Sequence, residues 1–432
     1  MSAAPGVRAT EQELAEQNRR LQQQVQDQQR TIDDLTAKMA QVLKASERHE
    51  RELQSLQDNV ANISAPADAA APGYQRDREV RISGEVEAGV FSTGPNGTYP
   101  KSTFRIGDAH IFVEAPVMKD VYFYSDLQLS TREQQTPGLQ FGELYVDFEN
   151  VSGRFGGRDR LLNVRLGQIN TPFGEEYALR GPMANPLISH SLSDVWGIDG
   201  GVEIYGELGK WQYAFALQNG SADLLRDRND DKALTARLGW TPAPWLSLSA
   251  SAMRTGELKA YTVGNSTGDV LSNIWFGNGF FRALGPAATT GAFWADLWEG
   301  DATVRWKGGH ASAALGRVHF DDSDTAADNS RRLGYGYLEA VQDLTPDLYF
   351  ATRYSEISAP RGYPLAGWGA MGRYFFAPNL STDLDRLSLG LGYRLGAPLV
   401  LKIEYARERG RLLNGNPRDR EDFLGAQAAL KF

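Results

Sequence analysis

The residues of this chain that could do chemistry are charges spaced two apart on short alternating segments, with no nucleophile set beside a base. Five histidines are scattered through 432 residues, and no Ser/His pair or carboxylate dyad is supported by local spacing, so no enzyme is expected. Cysteine is absent, which removes disulfides, thiolate metal sites and c-type haem attachment together; no metal or other cofactor is implied. What remains is electrostatic. In a segment of period two, alternate residues share a face. By that parity Arg165, Arg237, Arg305, Arg353, Arg386, Arg394 and Lys402 lie on the polar faces. So do Glu85, Glu87, Asp108, Asp126, Glu143, Asp147, Glu203 and Glu207. Acids concentrate on the early segments and bases on the later ones. If all these faces line one lumen, the two sets set up a transverse field that orients dipolar solutes and favours neither sign strongly.

The elements that must hold these charges are sixteen strand candidates between Val80 and Phe432. Most have the length of a tilted strand crossing a bilayer, roughly 9–11 residues. Their connections alternate. Residues 209–210, 241–244, 307–309, 343–346 and 396–398 are tight, whereas 170–200, 220–232, 256–292, 321–333, 358–384 and 408–421 are long and polar. An all-β transmembrane barrel of 16 antiparallel strands has this asymmetry between its two ends; a sandwich array has no reason for it. No apolar run approaches the roughly 18 residues of a membrane helix. Trp211, Trp240, Trp306, Tyr393 and Phe432 fall at the tight-turn end on the apolar faces, where an aromatic girdle would sit at the headgroup boundary. Two apolar stretches inside long loops, 273–281 and 362–376, are expected to pack rather than to gate.

Residues 1–63 follow a different rhythm. Leu14, Leu21, Val25, Ile32, Leu35, Met39, Val42, Leu53, Leu56, Val60 and Ile63 recur at spacings of three and four, with Asn18, Gln28, Ser46 and His49 filling the same seam. That is an α-helical coiled coil, of roughly 80 Å if continuous. The mixture of β-branched residues and Leu along the seam permits a homotrimer. Residues 64–79, rich in Ala and Pro at the start, read as a linker, and 80–432 as the barrel. The first six residues hold no apolar signal-peptide core, as expected of a processed or truncated form or of a misassigned start. A net charge of −9 argues against nucleic acid as a partner.

The last segment places Leu424, Ala426, Ala428, Leu430 and Phe432 on one face and closes on phenylalanine. It resembles the terminal signal that the barrel-assembly machinery reads in bacterial outer-membrane proteins. The run Arg165-Leu-Gly-Gln-Ile-Asn-Thr-Pro-Phe-Gly174, followed by DGGVEIYG at 199–206 and YAFALQNG at 213–220, resembles the phosphate-selective porin O/P family. The heptad arm in front resembles that of DcaP-like channels. The resemblance implies a trimeric, sixteen-stranded outer-membrane porin with both termini, and hence the arm, in the periplasm. It further implies that the third long loop, 170–200, folds into the barrel and narrows it. Pro172, Phe173, Gly174, Glu175, Glu176 and Arg180 would then form the constriction, with His190 and Asp194 near it.

The mixed lumen charge departs from a phosphate-selective pore, which needs a dense cationic path. The function expected is a passive diffusion channel for small hydrophilic solutes, with at most a mild preference for small anions or carboxylates. The alternative is a structural tether, with the barrel as a lipid-embedded anchor and the arm reaching the cell wall.

Overall fold

The computed structural model describes residues 79–97, 99–130, 139–192, 194–220, 230–263, 266–271, 274–276, 279–280, 292–322, 331–363 and 381–432. The chain divides into two units, Met1–Asp68 and Ala69–Phe432, and every described residue belongs to the second. The expected coiled-coil seam therefore lies outside the described residues, as does nearly all of the linker.

Sixteen strands close into one antiparallel barrel. They are β1 Arg81–Thr93, β2 Thr103–Met118, β3 Val121–Ser130, β4 Gln140–Phe148, β5 Asn163–Asn170, β6 Val195–Leu208, β7 Trp211–Gln218 and β8 Ala233–Ala243. There follow β9 Leu246–Arg254, β10 Ala292–Trp306, β11 Gly309–Asp322, β12 Arg331–Asp343, β13 Leu348–Tyr363, β14 Ser381–Arg394, β15 Leu399–Leu412 and β16 Phe423–Lys431. Each pairs with its neighbour in sequence, and β1 pairs with β16 from Glu85↔Lys431 to Thr93↔Phe423. The terminal residue extends that seam: Gly84 and Phe432 exchange backbone hydrogen bonds at 2.9 and 3.0 Å. Closure leaves no barrel edge with unpaired backbone groups.

The alternation that forms these strands also sorts their faces. On β14, Leu387, Leu389, Leu391 and Tyr393 are exposed, while Arg386 and Ser388, at the alternate positions, are buried. The same division holds on β15, with Leu401, Ile403 and Tyr405 outward and Lys402, Glu404 and Ala406 inward. The apolar exterior and polar interior invert the usual soluble arrangement, which suits a hydrocarbon surround and a wet lumen. Among the described residues no helix is long and apolar enough to cross a membrane. At the tight-turn end Trp211 stacks on Trp240 at 5.5 Å, and both are exposed, as are Trp306, Tyr393 and Phe432. Gly209, at φ 66°, supplies the left-handed backbone that the two-residue turn before Trp211 requires.

Three connections are shaped by local causes, and the second departs from the sequence reading. The β4–β5 connection is not tight: it holds a four-residue helix, Val151–Arg154, capped by the Asn150 side chain accepting from Gly153 N at 3.2 Å. The third loop is shorter than 170–200, because 195–200 is already strand and pairs with β5 through Ile169↔Asp199 and Asn170↔Ile198. The long connection 256–292 is not structureless: it contains strand pairs, and Ile274–Phe276 adds to the start of β6 at Trp275↔Trp196. Of the second apolar stretch, 362–376, only the first two residues are described.

Candidate functional site

The third loop leaves β5 at Asn170 and turns into the lumen. Thr171 anchors the turn, its backbone N donating to Gly197 O at 2.7 Å and its Oγ1 to Gln218 Oε1 at 2.9 Å. Pro172 fixes φ, Phe173 is fully buried, and Gly174 bends the chain at φ 71°. A Cβ on Gly174 would displace the Glu299 carboxylate, and the left-handed backbone there favours glycine in any case. Its N donates to Ser251 Oγ at 3.0 Å, tying the bend to β9. A 3-10 turn, Glu176–Leu179, follows, and the Glu176 carboxylate gathers Ser191 N at 2.7 Å and the Ser191 hydroxyl. Burial raises the Tyr177 hydroxyl to about 12, against the lowering pull of Arg237, so it stays protonated at neutral pH.

Irregular backbone inside a barrel needs partners for every N–H and C=O. The far wall supplies them with charged groups. Arg353 donates from Nη1 to Ser189 O at 2.8 Å and from Nη2 to Asn185 Oδ1 at 3.0 Å, while its Nε holds Glu339 Oε2 at 2.9 Å. Lys402 Nζ donates to the carbonyls of Pro182, Asn185 and Leu187. Arg386 donates to His190 O at 3.1 Å and is paired with Glu408. Glu404 complements them, accepting Ile188 N and Ser189 N at 2.7 and 2.8 Å and the Ser189 hydroxyl at 2.6 Å. Arg237 pairs with Glu175. The loop is thereby bound to β8, β9 and β13 through β15.

Four of the seven expected lumen bases, Arg237, Arg353, Arg386 and Lys402, are therefore directed into the loop. Arg165 lies between the rings of Tyr145 (5.2 Å) and Tyr205 (4.3 Å), with Asp147 at 3.0 Å and Glu203 at 3.1 Å. Arg305 donates to Ser247 Oγ at 2.8 Å, and Arg394 pairs with Asp343 at 2.9 Å near the tight-turn end. The expected transverse field does not survive this accounting. Buried Glu299, Asp301, Glu339, Glu404 and Glu408 stand on the same side as the bases, and the sequence reading omitted them although their parity is right.

The wall the loop leaves facing a cavity is β1 to β5. Glu85 is 3.7 Å from Lys431, and Glu87 is buried, accepting from Asp108 N at 3.2 Å and from Gln427. Asp126 accepts from Gln128 Nε2 at 3.0 Å and meets His110 Nδ1 at 2.9 Å; Glu143 accepts from Asn170 N at 3.0 Å. Between these carboxylates runs a ladder of stacked rings that the sequence reading missed. His110–Phe112, Phe112–Tyr124 and Tyr124–Tyr145 are 5.9, 6.3 and 5.1 Å apart. Residues 112, 124 and 145 share the lumen parity of the acids, which was the available signal. A cavity of about 190 Å³ separates this wall from the loop, where Tyr177, Arg180 and His190 face it beside Trp196 of β6. Arg180 pairs with Asp194 and lies 4.4 Å over Trp196, while His190 sits between Asp194 Oδ2 at 3.0 Å and Arg180 O at 3.2 Å.

A closed sixteen-stranded antiparallel barrel with its third loop bound inside defines the structural class. No family model and no curated protein matches the sequence. Solved structures do match the fold. OmpT of Vibrio cholerae in a trimer form is 11% identical with a TM-score of 0.55, covering 82% of this chain and 99% of that one. The outer membrane channel DcaP of Acinetobacter baumannii is 13% identical at 0.53, with coverage of 84% and 100%. An anion-selective porin from Comamonas acidovorans is 12% identical at 0.53, with coverage of 82% and 99%.

Proposed function

We propose that this protein is an outer-membrane porin: a passive diffusion channel for small hydrophilic solutes whose third loop narrows the lumen. The observation that carries the reading is the attachment of that loop, from Gly174 to Leu192, to the inner faces of five strands through ion pairs and hydrogen bonds, most of them charge-assisted. A barrel serving only as an anchor has no need of a polar interior crossed by a loop fixed so extensively. Pro172, Phe173 and Gly174 direct the chain inward, and Glu175, Glu176 and Arg180 lie on the stretch that narrows the passage. The outward apolar band is the lipid contact. Phe432, at the β1–β16 seam, is the assembly signal for the barrel-assembly machinery.

A homotrimer is part of the proposal, supported by the heptad seam of residues 1–63 and by fold likeness to a trimeric outer-membrane protein. The arm lies in the periplasm in this reading, with contact to the cell wall as its further role. The expected mild preference for small anions loses its basis, since the bases that would carry it are engaged with loop carbonyls and carboxylates. The test is reconstitution of the purified full-length protein in a planar bilayer. Stepwise conductance closing in threes supports the channel and the trimer, whereas insertion without conductance supports the structural tether.

A further inference from the structure

Charge, ring geometry and shape single out the 190 Å³ cavity between β1–β5 and the inward loop. Its carboxylates are Glu85, Asp108, Asp126 and Glu143. The cationic groups around it already face anions or acceptors: Arg180 and His190 meet Asp194, His110 meets Asp126, and Lys431 is near Glu85. Lys402, behind the loop, points at three carbonyls. Carboxylates outnumber cationic groups along its lining, so an entering anion would meet a predominantly negative surface and an entering cation an attractive one, in a partly dehydrated site where charge acts more strongly than in water.

The same wall shows what kind of cation it suits. Arg165 is a guanidinium held by two ring faces, Tyr145 and Tyr205, and two carboxylates, Asp147 and Glu203. Ring faces attract cations through their quadrupole, and carboxylates supply the directional acceptors. One step along the ladder the same two kinds of group recur on the cavity wall: Phe112 and Tyr124 stack 6.3 Å apart, and Asp126 and Glu143 line the cavity with them. On the opposite side Arg180 over Trp196 is a second internal example, at 4.4 Å. Two built-in guanidinium sites thus flank a cavity of the same chemistry.

We propose that this cavity is a subsite for small organic cations, an ammonium or guanidinium borne on a short aliphatic or flat body. The inference deepens the channel reading and rests on it for its physiological meaning, because a subsite on the open side of the lumen would select such solutes for passage. Binding itself does not depend on conduction, and that separates the two claims.

The experiment is titration calorimetry of the full-length protein in detergent with agmatine, and with succinate as an anion of comparable length, followed by reversal potentials in a KCl gradient. Agmatine should bind, succinate should not, and the reversal potential should report cation preference. Asp126→Asn with Glu143→Gln should weaken agmatine about tenfold, an equivalent of about 1.4 kcal/mol. Phe112→Leu, which keeps an apolar side chain and the fold, should weaken it about threefold, within the range of a cation–π contact. Equal or tighter succinate binding, no agmatine binding, or agmatine binding unchanged in both variants would overturn the proposal. A protein that binds agmatine in this way yet passes no current would leave the subsite standing and remove the channel.

Discussion

Arg353 on β13 holds Ser189 of the third loop by its carbonyl at 2.8 Å while its Nε is fixed by Glu339 at 2.9 Å. A strand-borne guanidinium is thus oriented by a neighbouring strand and presented to loop backbone. Glu404 answers from β15 by accepting Ser189 N and Oγ, so one loop residue is gripped through its donor, its acceptor and its side chain. The loop's position in the lumen follows from these fixed charges.

Arg353→Met should therefore loosen the loop and leave Glu339 buried without its guanidinium. Breaking one side of a buried pair costs about 3–5 kcal/mol. Thermal denaturation in detergent should show this loss, and single-channel recordings should show larger, noisier steps. Adding Glu339→Leu should recover much of the stability without restoring the quiet steps. Unchanged conductance in both variants would separate the loop from the permeation path.

Gly174→Ala tests the bend at the loop's start. The left-handed backbone disfavours any side chain there, and a methyl group would have to push the Glu299 carboxylate aside. Strain of this kind costs about 1–3 kcal/mol. Protease susceptibility at the loop should rise while the barrel keeps its β-sheet circular dichroism. A variant as resistant as the native protein would contradict the packing around Phe173 and Gly174.

Charge selectivity should respond unequally to the two walls. Lys402→Met removes a cation whose donors point at loop carbonyls, whereas Glu143→Gln removes charge at the cavity. The reversal potential in a KCl gradient should move little in folded Lys402→Met and towards anions in Glu143→Gln. The reverse order would restore the bases as the selecting groups.

The exposed Trp211–Trp240 stack marks one membrane boundary. Lipids brominated near the headgroup should quench its fluorescence more than lipids brominated at the chain end. Quenching that increases with depth would place the tight-turn end inside the hydrocarbon.

The sequence made the barrel legible because a strand between lipid and water must alternate, and each of the sixteen candidate segments overlaps one of the sixteen barrel strands. Its limits were also physical. Alternation reports which face a residue shares, not what covers that face, so Arg353, Arg386 and Lys402 read as bare lumen charges although each carries a loop carbonyl. Phe112, Tyr124 and Tyr145 had the same parity, but stacking depends on strand register, which single segments do not encode. Residues 195–200 read as loop because DGG at 199–201 interrupts the apolar pattern; pairing with β5 makes them strand regardless.

The central claim is that the third loop lies bound inside the barrel, and the absence of native cysteine allows a direct test. Ser189 Oγ and Ser388 Oγ are 3.4 Å apart across the loop–β14 boundary. With Ser189→Cys and Ser388→Cys, mild oxidation should form an intramolecular disulfide, identified by mass spectrometry of the digested protein, with the step conductance the same before and after reduction. Failure of the two thiols to join in a folded barrel would contradict the account.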